Sequence, residues 1–130
     1  MAESAVAQML LSSAQQDLSA AKVLAQTPGL ADALVGFHAQ QAVEKALKAV
    51  LSARGIVFRR THDIAWLLDL LSDSTGLAPP HADWLDELNP YAVDARYGGF
   101  DEGGLDRELA LEAAESVVRW ACSITGVASE

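Results

Sequence analysis

Cysteine, cationic side chains and long apolar runs are all scarce in this 130-residue chain, and each scarcity closes off a class of protein. The single cysteine, Cys122, has no partner for an intramolecular disulfide, so a disulfide-stapled secreted fold is not expected and a reducing cytoplasm is. Nine Lys and Arg stand against eighteen Asp and Glu, a formal net charge of -9. A general nucleic-acid coat needs a cationic surplus to meet phosphates, so any anion-binding face here must be local. No stretch of about 18 uninterrupted apolar residues occurs, which speaks against a membrane-spanning helix. The opening MAESAV lacks the basic region and apolar core of an export signal. There is no Glu-x-x-His pair for a di-iron bundle, no Cys/His cluster for zinc and no glycine-rich turn between strand and helix, so neither a metal nor a cofactor is expected.

What is present is helical periodicity. With 51% hydrophobic residues, the chain is long enough for one domain over residues 1–130 and short for two. Leu11, Ala14, Leu18, Ala21 and Ala25 recur at steps of three and four, predicting a first helix from about Ser4 to Gln26 that Pro28-Gly29 stops. A second helix is predicted from about Leu30 to Arg54, with Gly55 as its left-handed C-terminal cap. Thr61 is placed to cap a third, whose apolar stripe is Ile64, Leu67, Leu68 and Leu71. Pro79-Pro80 opens a short fourth helix that Asn89-Pro90 interrupts after Leu88, and residues 91–104 read as a structured loop. A last helix from about Leu105 to Thr125 turns Leu105, Leu109, Ala113, Ser116, Val117, Trp120 and Ile124 inward. Nothing alternates at period 2. The expected fold is all-α, an antiparallel up-and-down bundle of four long helices and one short one.

The second helix carries the chemistry. Its stripe Ala33, Phe37, Gln40, Glu44, Leu47 and Leu51 sets an amide and a carboxylate in line with core residues, so Gln40 and Glu44 either form a polar pocket or reach water at a boundary. A stripe of Ala39, Ala42, Ala46 and Ala49 admits a close neighbour, from this chain or a second copy. His38, Gln41, Lys45, Lys48 and Ser52 form the face expected to be exposed.

Residues 45–62 contain Lys45, Lys48, Arg54, Arg59, Arg60 and His62 and no acid, whereas fourteen acids follow from Asp63 onward against Arg96, Arg107 and Arg119. This reads either as a cationic end that gathers an anion or as a solvated turn. His62 and Asp63 open the third helix, where the dipole favours the carboxylate and a neutral imidazole can accept a proton or hydrogen bond; the alternative is plain capping. In the loop, Tyr91, Asp94, Arg96 and Tyr97 flank Gly98-Gly99. Arg and Tyr suit phosphate contacts and base stacking, or Arg96 pairs internally with Glu44 or Asp94.

Three ordered motifs then stand out: Phe37-His38-Ala39-Gln40-Gln41-Ala42-Val43-Glu44-Lys45-Ala46-Leu47-Lys48-Ala49, Thr61-His62-Asp63-Ile64 with Leu67-Leu68, and Ala95-Arg96-Tyr97. Together they resemble the HEPN domain, named for higher eukaryotes, prokaryotes and nucleotide binding. The resemblance implies an antiparallel helical bundle, commonly a homodimer, similar to the substrate-binding domain of aminoglycoside nucleotidyltransferases. In prokaryotes such chains are often encoded beside a small nucleotidyltransferase as a toxin–antitoxin-like pair. Taken with the acid-free cationic stretch and the loop, it points to phosphate or nucleotide binding by Lys45, Lys48, Arg59, Arg60, His62, Arg96 and Tyr97, beside a polar pocket of Gln40, Glu44 and Asp63. Many members are metal-independent ribonucleases with Arg, four to six residues, then His. Here seven residues separate Arg54 from His62, two follow Arg59 and one follows Arg60, so only a stretched Arg54–His62 version, or His62 with Arg96, is available for catalysis. The usual Arg-Tyr-Pro is Arg96-Tyr97-Gly98, without the proline's constraint on the loop. The resemblance thus favours a binding module over an enzyme, with RNA cleavage and pure dimerisation as alternatives.

Overall fold

The computed structural model describes residues 2–92 and 104–127, and among these every regular element is helical. Helix α1 spans Ala2–Ala25, α2 Asp32–Ala53, α3 Ile64–Thr75 and α4 Arg107–Thr125; a 3-10 helix, Leu85–Ala92, lies between α3 and α4. No helix of the described residues is long and apolar enough to cross a membrane.

Local chemistry accounts for the ends. At the close of α2, Gly55 takes a φ of 70°, a region costly for residues with a Cβ, and the Ile56 amide returns to the Leu51 carbonyl at 2.9 Å. The cap of α3 is Asp63, whose carboxylate accepts from the Trp66 amide at 3.3 Å. The expected cap, Thr61, sits two residues too early and its hydroxyl accepts from the Asp63 amide instead, at 3.0 Å. The α-helix expected after Pro79-Pro80 is a correction of another kind. Residues 80–84 form turns, and the helix that follows is 3-10 and runs through Asn89-Pro90. A 3-10 helix bonds i to i+3 and is used in short pieces, which lets it carry a proline within eight residues. Tyr91 belongs to it, not to the loop; Asp94, Arg96, Tyr97 and the glycines beside them lie outside the described residues.

Side-chain ties give the helix directions. Asp17 of α1 holds both His38 and Lys45 of α2, and Ser13 takes Lys45 as well, so α2 ascends as α1 descends. Between α1 and α4, Gln15 meets Cys122 and Lys22 meets Glu115, again antiparallel. Helices α2 and α4 therefore run parallel to each other, as alternate members of an up-and-down bundle do. At the start of both, Arg107 pairs with Asp32 at 2.7 Å and donates to the carbonyls of Leu30 and Ala25.

Helix α2 is central: Ala39, Ala42, Val43, Ala46, Leu47, Ala49, Val50 and Leu51 are fully buried. The alanine stripe is thus filled by the chain's own helices rather than kept for a second copy. The face expected to be exposed is not: His38, Gln41, Lys45, Lys48 and Ser52 are all half-buried. In α4 the inward face is rotated from expectation. Ala110, Ala114, Val118, Ala121 and Cys122 join Ala113 and Val117 inside, while Leu109, Ser116, Trp120 and Ile124 are half-buried. Small residues let α4 approach α2 closely, and the bulky ones lie at the margin.

Candidate functional site

The buried polar centre lies midway along α2. Gln40 and Glu44 are the only buried polar or charged residues among those described. They sit one turn apart on one face, and the Gln40 amide donates to Glu44 Oε1 at 2.9 Å. A carboxylate withdrawn from water needs several donors, and this one has three. Besides Gln40, Lys48 Nζ donates to Oε2 at 2.9 Å, and His62 Nδ1 lies 2.9 Å from Oε1. Burial alone pushes the Glu44 carboxyl up. The hydrogen bonds from Gln40, Lys48 and His62, with the lysine's charge, outweigh it and hold the group below its ordinary value.

The same donors fasten the backbone that leads into α3. Lys48 Nζ also reaches the Thr61 carbonyl at 2.8 Å, and Gln40 Nε2 the His62 carbonyl at 3.2 Å. Gln40's own oxygen accepts from Gln41 at 2.7 Å, so the amide is satisfied on both sides. An ionised carboxylate only accepts, so the proton of the shared bond sits on His62 Nδ1, and in the neutral ring Nε2 is an acceptor. The imidazole is 65% exposed while the Glu44 side chain is 4% exposed. Among the described residues Nε2 has no hydrogen-bond partner. The site is a solvent-facing imidazole mounted on a buried carboxylate.

The cationic residues divide around it. Arg59 and Arg60 immediately precede the site and are exposed, with Arg59 laid over the Trp66 ring at 4.4 Å. That stack restricts a long side chain and leaves the guanidinium edge free to donate. Arg54, also exposed, is the C-cap residue of α2. Two expected phosphate ligands are placed otherwise. Lys45 turns to α1, where Asp17 and Ser13 take its ammonium at 2.6 and 2.8 Å. Lys48 is 13% exposed, its ammonium held by Glu44 and Thr61 and facing the Phe58 ring at 5.8 Å. Asp63, expected in the polar pocket, is an exposed cap tied to Asn89 Nδ2 at 3.1 Å. Arg96 and Tyr97 lie outside the described residues.

Gln40, Glu44, Lys48 and His62 are therefore brought together, beside Arg59 and Arg60. The sequence reading missed the Glu44–His62 pairing itself and the part of Trp66. One signal was available: Glu44 is the last acid before the acid-free run, and a buried acid must find its donors among the cations nearest in the fold.

Comparison with known proteins gives the family. The model of the HEPN domain matches residues 7–125, nearly the whole chain. The chain belongs to the HEPN domain family. A candidate toxin of Methanocaldococcus jannaschii is 48% identical over 54 residues, which cover 42% of this HEPN chain and 34% of that protein. The match thus spans about a third of the relative's length. No solved structure matches.

Proposed function

We propose that this HEPN chain is the binding component of a toxin–antitoxin-like pair, taking up a nucleotide with its phosphate at Arg59 and Arg60 and its base at His62, and with Arg96 and Tyr97 as further ligands. Its partner in this reading is a small nucleotidyltransferase, and the chain works as a homodimer in a reducing cytoplasm. The observation that carries the proposal is the exposed His62 imidazole, clamped from beneath by Glu44 and preceded by two exposed arginines, one of them braced on Trp66. Elsewhere the chain is strongly acidic, so an anion is favoured here and opposed over most of the remaining surface. The likeness to the archaeal candidate toxin supports the toxin-like setting.

The test is a thermal shift with ATP on the purified chain, together with co-purification from its native host. A stabilisation that Arg59→Ala and Arg60→Ala each diminish, with a nucleotidyltransferase retained on the column, is the expected result. Absence of both would end the proposal.

A second reading is favoured by the tautomer. With Nδ1 protonated against a carboxylate, Nε2 is the basic nitrogen, as a general base in RNA cleavage requires, with Arg54 or Arg96 steadying the phosphate. Metal-independent cleavage of RNA that disappears in His62→Ala would establish it. Undiminished cleavage in that variant would dismiss it.

A further inference from the structure

We infer that Glu44 is the positioning residue for His62, holding the imidazole as its Nδ1–H tautomer so that Nε2 accepts a hydrogen bond from the amino group of the nucleotide's base, whose phosphate Arg59 and Arg60 take. The ligand at His62 is that of the proposed binding site, on which this inference rests. An unconstrained histidine in water prefers the opposite tautomer, with the proton on Nε2. The carboxylate reverses that preference because it has no proton to give and lies 2.9 Å from Nδ1.

Three features separate this arrangement from an ordinary surface ion pair. Glu44 is nearly inaccessible, whereas the imidazole it holds is mostly exposed, so one partner is fixed in the core and the other is presented outward. The backbone of the presented residue is fixed independently, through Gln40 to the His62 carbonyl and Lys48 to the Thr61 carbonyl. Both of those donors also bond the same carboxylate, so ring, backbone and helix share one centre. A tie whose purpose was only to hold the connection between α2 and α3 would be complete with the two carbonyl bonds and would not need the ring. Support of this kind, in which an outer carboxylate sets the tautomer of an imidazole, makes the free nitrogen's role definite.

The variant Glu44→Gln isolates the effect. Its single oxygen is drawn to the Lys48 ammonium, the strongest donor present, which turns the amide NH2 toward His62 and leaves Gln40 Nε2 with the His62 carbonyl as its acceptor. Nδ1 then becomes an acceptor and the proton moves to Nε2, converting the outward nitrogen from acceptor to donor.

Nitrogen-15 NMR of the neutral imidazoles, with the His62 signal assigned by its loss in His62→Gln, reads the tautomer directly. The wild-type chain is expected to show Nδ1–H, Glu44→Gln to show Nε2–H, and Asp63→Ala, which weakens the start of α3 without touching the carboxylate, to keep Nδ1–H. A wild-type ring in the Nε2–H form overturns the inference without reference to any variant, as does a Glu44→Gln variant that melts cooperatively with the tautomer unchanged. Binding is read separately with ATP. Glu44→Gln should weaken it about tenfold, the loss of one hydrogen bond, and match His62→Gln. If the wild type shows Nδ1–H yet does not bind ATP, the positioning by Glu44 stands and the proposed nucleotide site falls.

Discussion

Glu44 makes the bundle's stability depend on acidity in a particular window. Its carboxyl sits below the ordinary value of 4.5 when folded, so the unfolded chain takes up the proton first as pH falls. The stabilisation is complete above the unfolded value and is lost as pH falls through it toward the lower folded one. Chemical denaturation between pH 7 and pH 3 should show the wild type losing stability in that range and Glu44→Gln, with no proton to bind there, losing less. A second residue tests the packing of the 3-10 helix. Gly36 lies beneath the Tyr91 ring, and a Cβ at that position would enter the ring carbons. Gly36→Ala is expected to lower stability by about 1–3 kcal/mol, read by urea titration, because the carbons it would meet include the root of the ring, which cannot swing away as the far end of a flexible side chain can. Cys122 is buried beside Gln15, and burial pushes its thiol up from the ordinary 9.0 against the weaker pull of that contact. Alkylation by iodoacetamide should therefore wait on unfolding of the chain.

At the scale of elements, the junction between the α2–α3 connection and the 3-10 helix rests on one pair. Asn89 accepts from the Ile64 amide at 2.9 Å and donates to Asp63, which itself caps α3. Asp63→Ala should cost about 1 kcal/mol, the usual worth of an N-cap. The loss on Asn89→Ala should overlap with it rather than add, since the two share a hydrogen bond; thermal melts of the single and double variants measure this. The sequence carried much of this framework. The periodicity of Leu11, Ala14, Leu18 and Ala21, and of Ile64, Leu67 and Leu71, marked buried faces correctly, because in those helices large and small apolar residues fall on the same side. In α4 it misled. Trp120 and Ile124 lie at the margin while alanines occupy the centre, and hydrophobicity alone cannot tell a close contact from a bulky edge. Gln40 and Glu44 were legible as a polar interruption of a core stripe. That His62, eighteen residues on, would be the exposed partner was not, since it depends on how the connection folds back along α2. Lys45 and Lys48 looked alike in the cationic run, yet one faces Asp17 and the other Glu44.

Across the whole molecule, α2 is enclosed by the chain's own helices, and this sets what a second copy can use. The alanine stripe has no accessible surface left, so Ala42→Leu should destabilise the single chain by about 1–3 kcal/mol through overpacking and do so equally at every protein concentration. A loss confined to low concentration in analytical ultracentrifugation would instead place that stripe between subunits. The Arg107 guanidinium has a wider consequence. It gathers the end of α1, the turn after it and the start of α2 onto the first residue of α4, while Lys22–Glu115 and Gln15–Cys122 tie the rest of the same helix to α1. The registration of α4 is thus written into residues on both sides of the stretch between positions 92 and 104. A chain cleaved within that stretch should travel as one species on a native gel and as two once denatured, and the two fragments, expressed apart, should find each other.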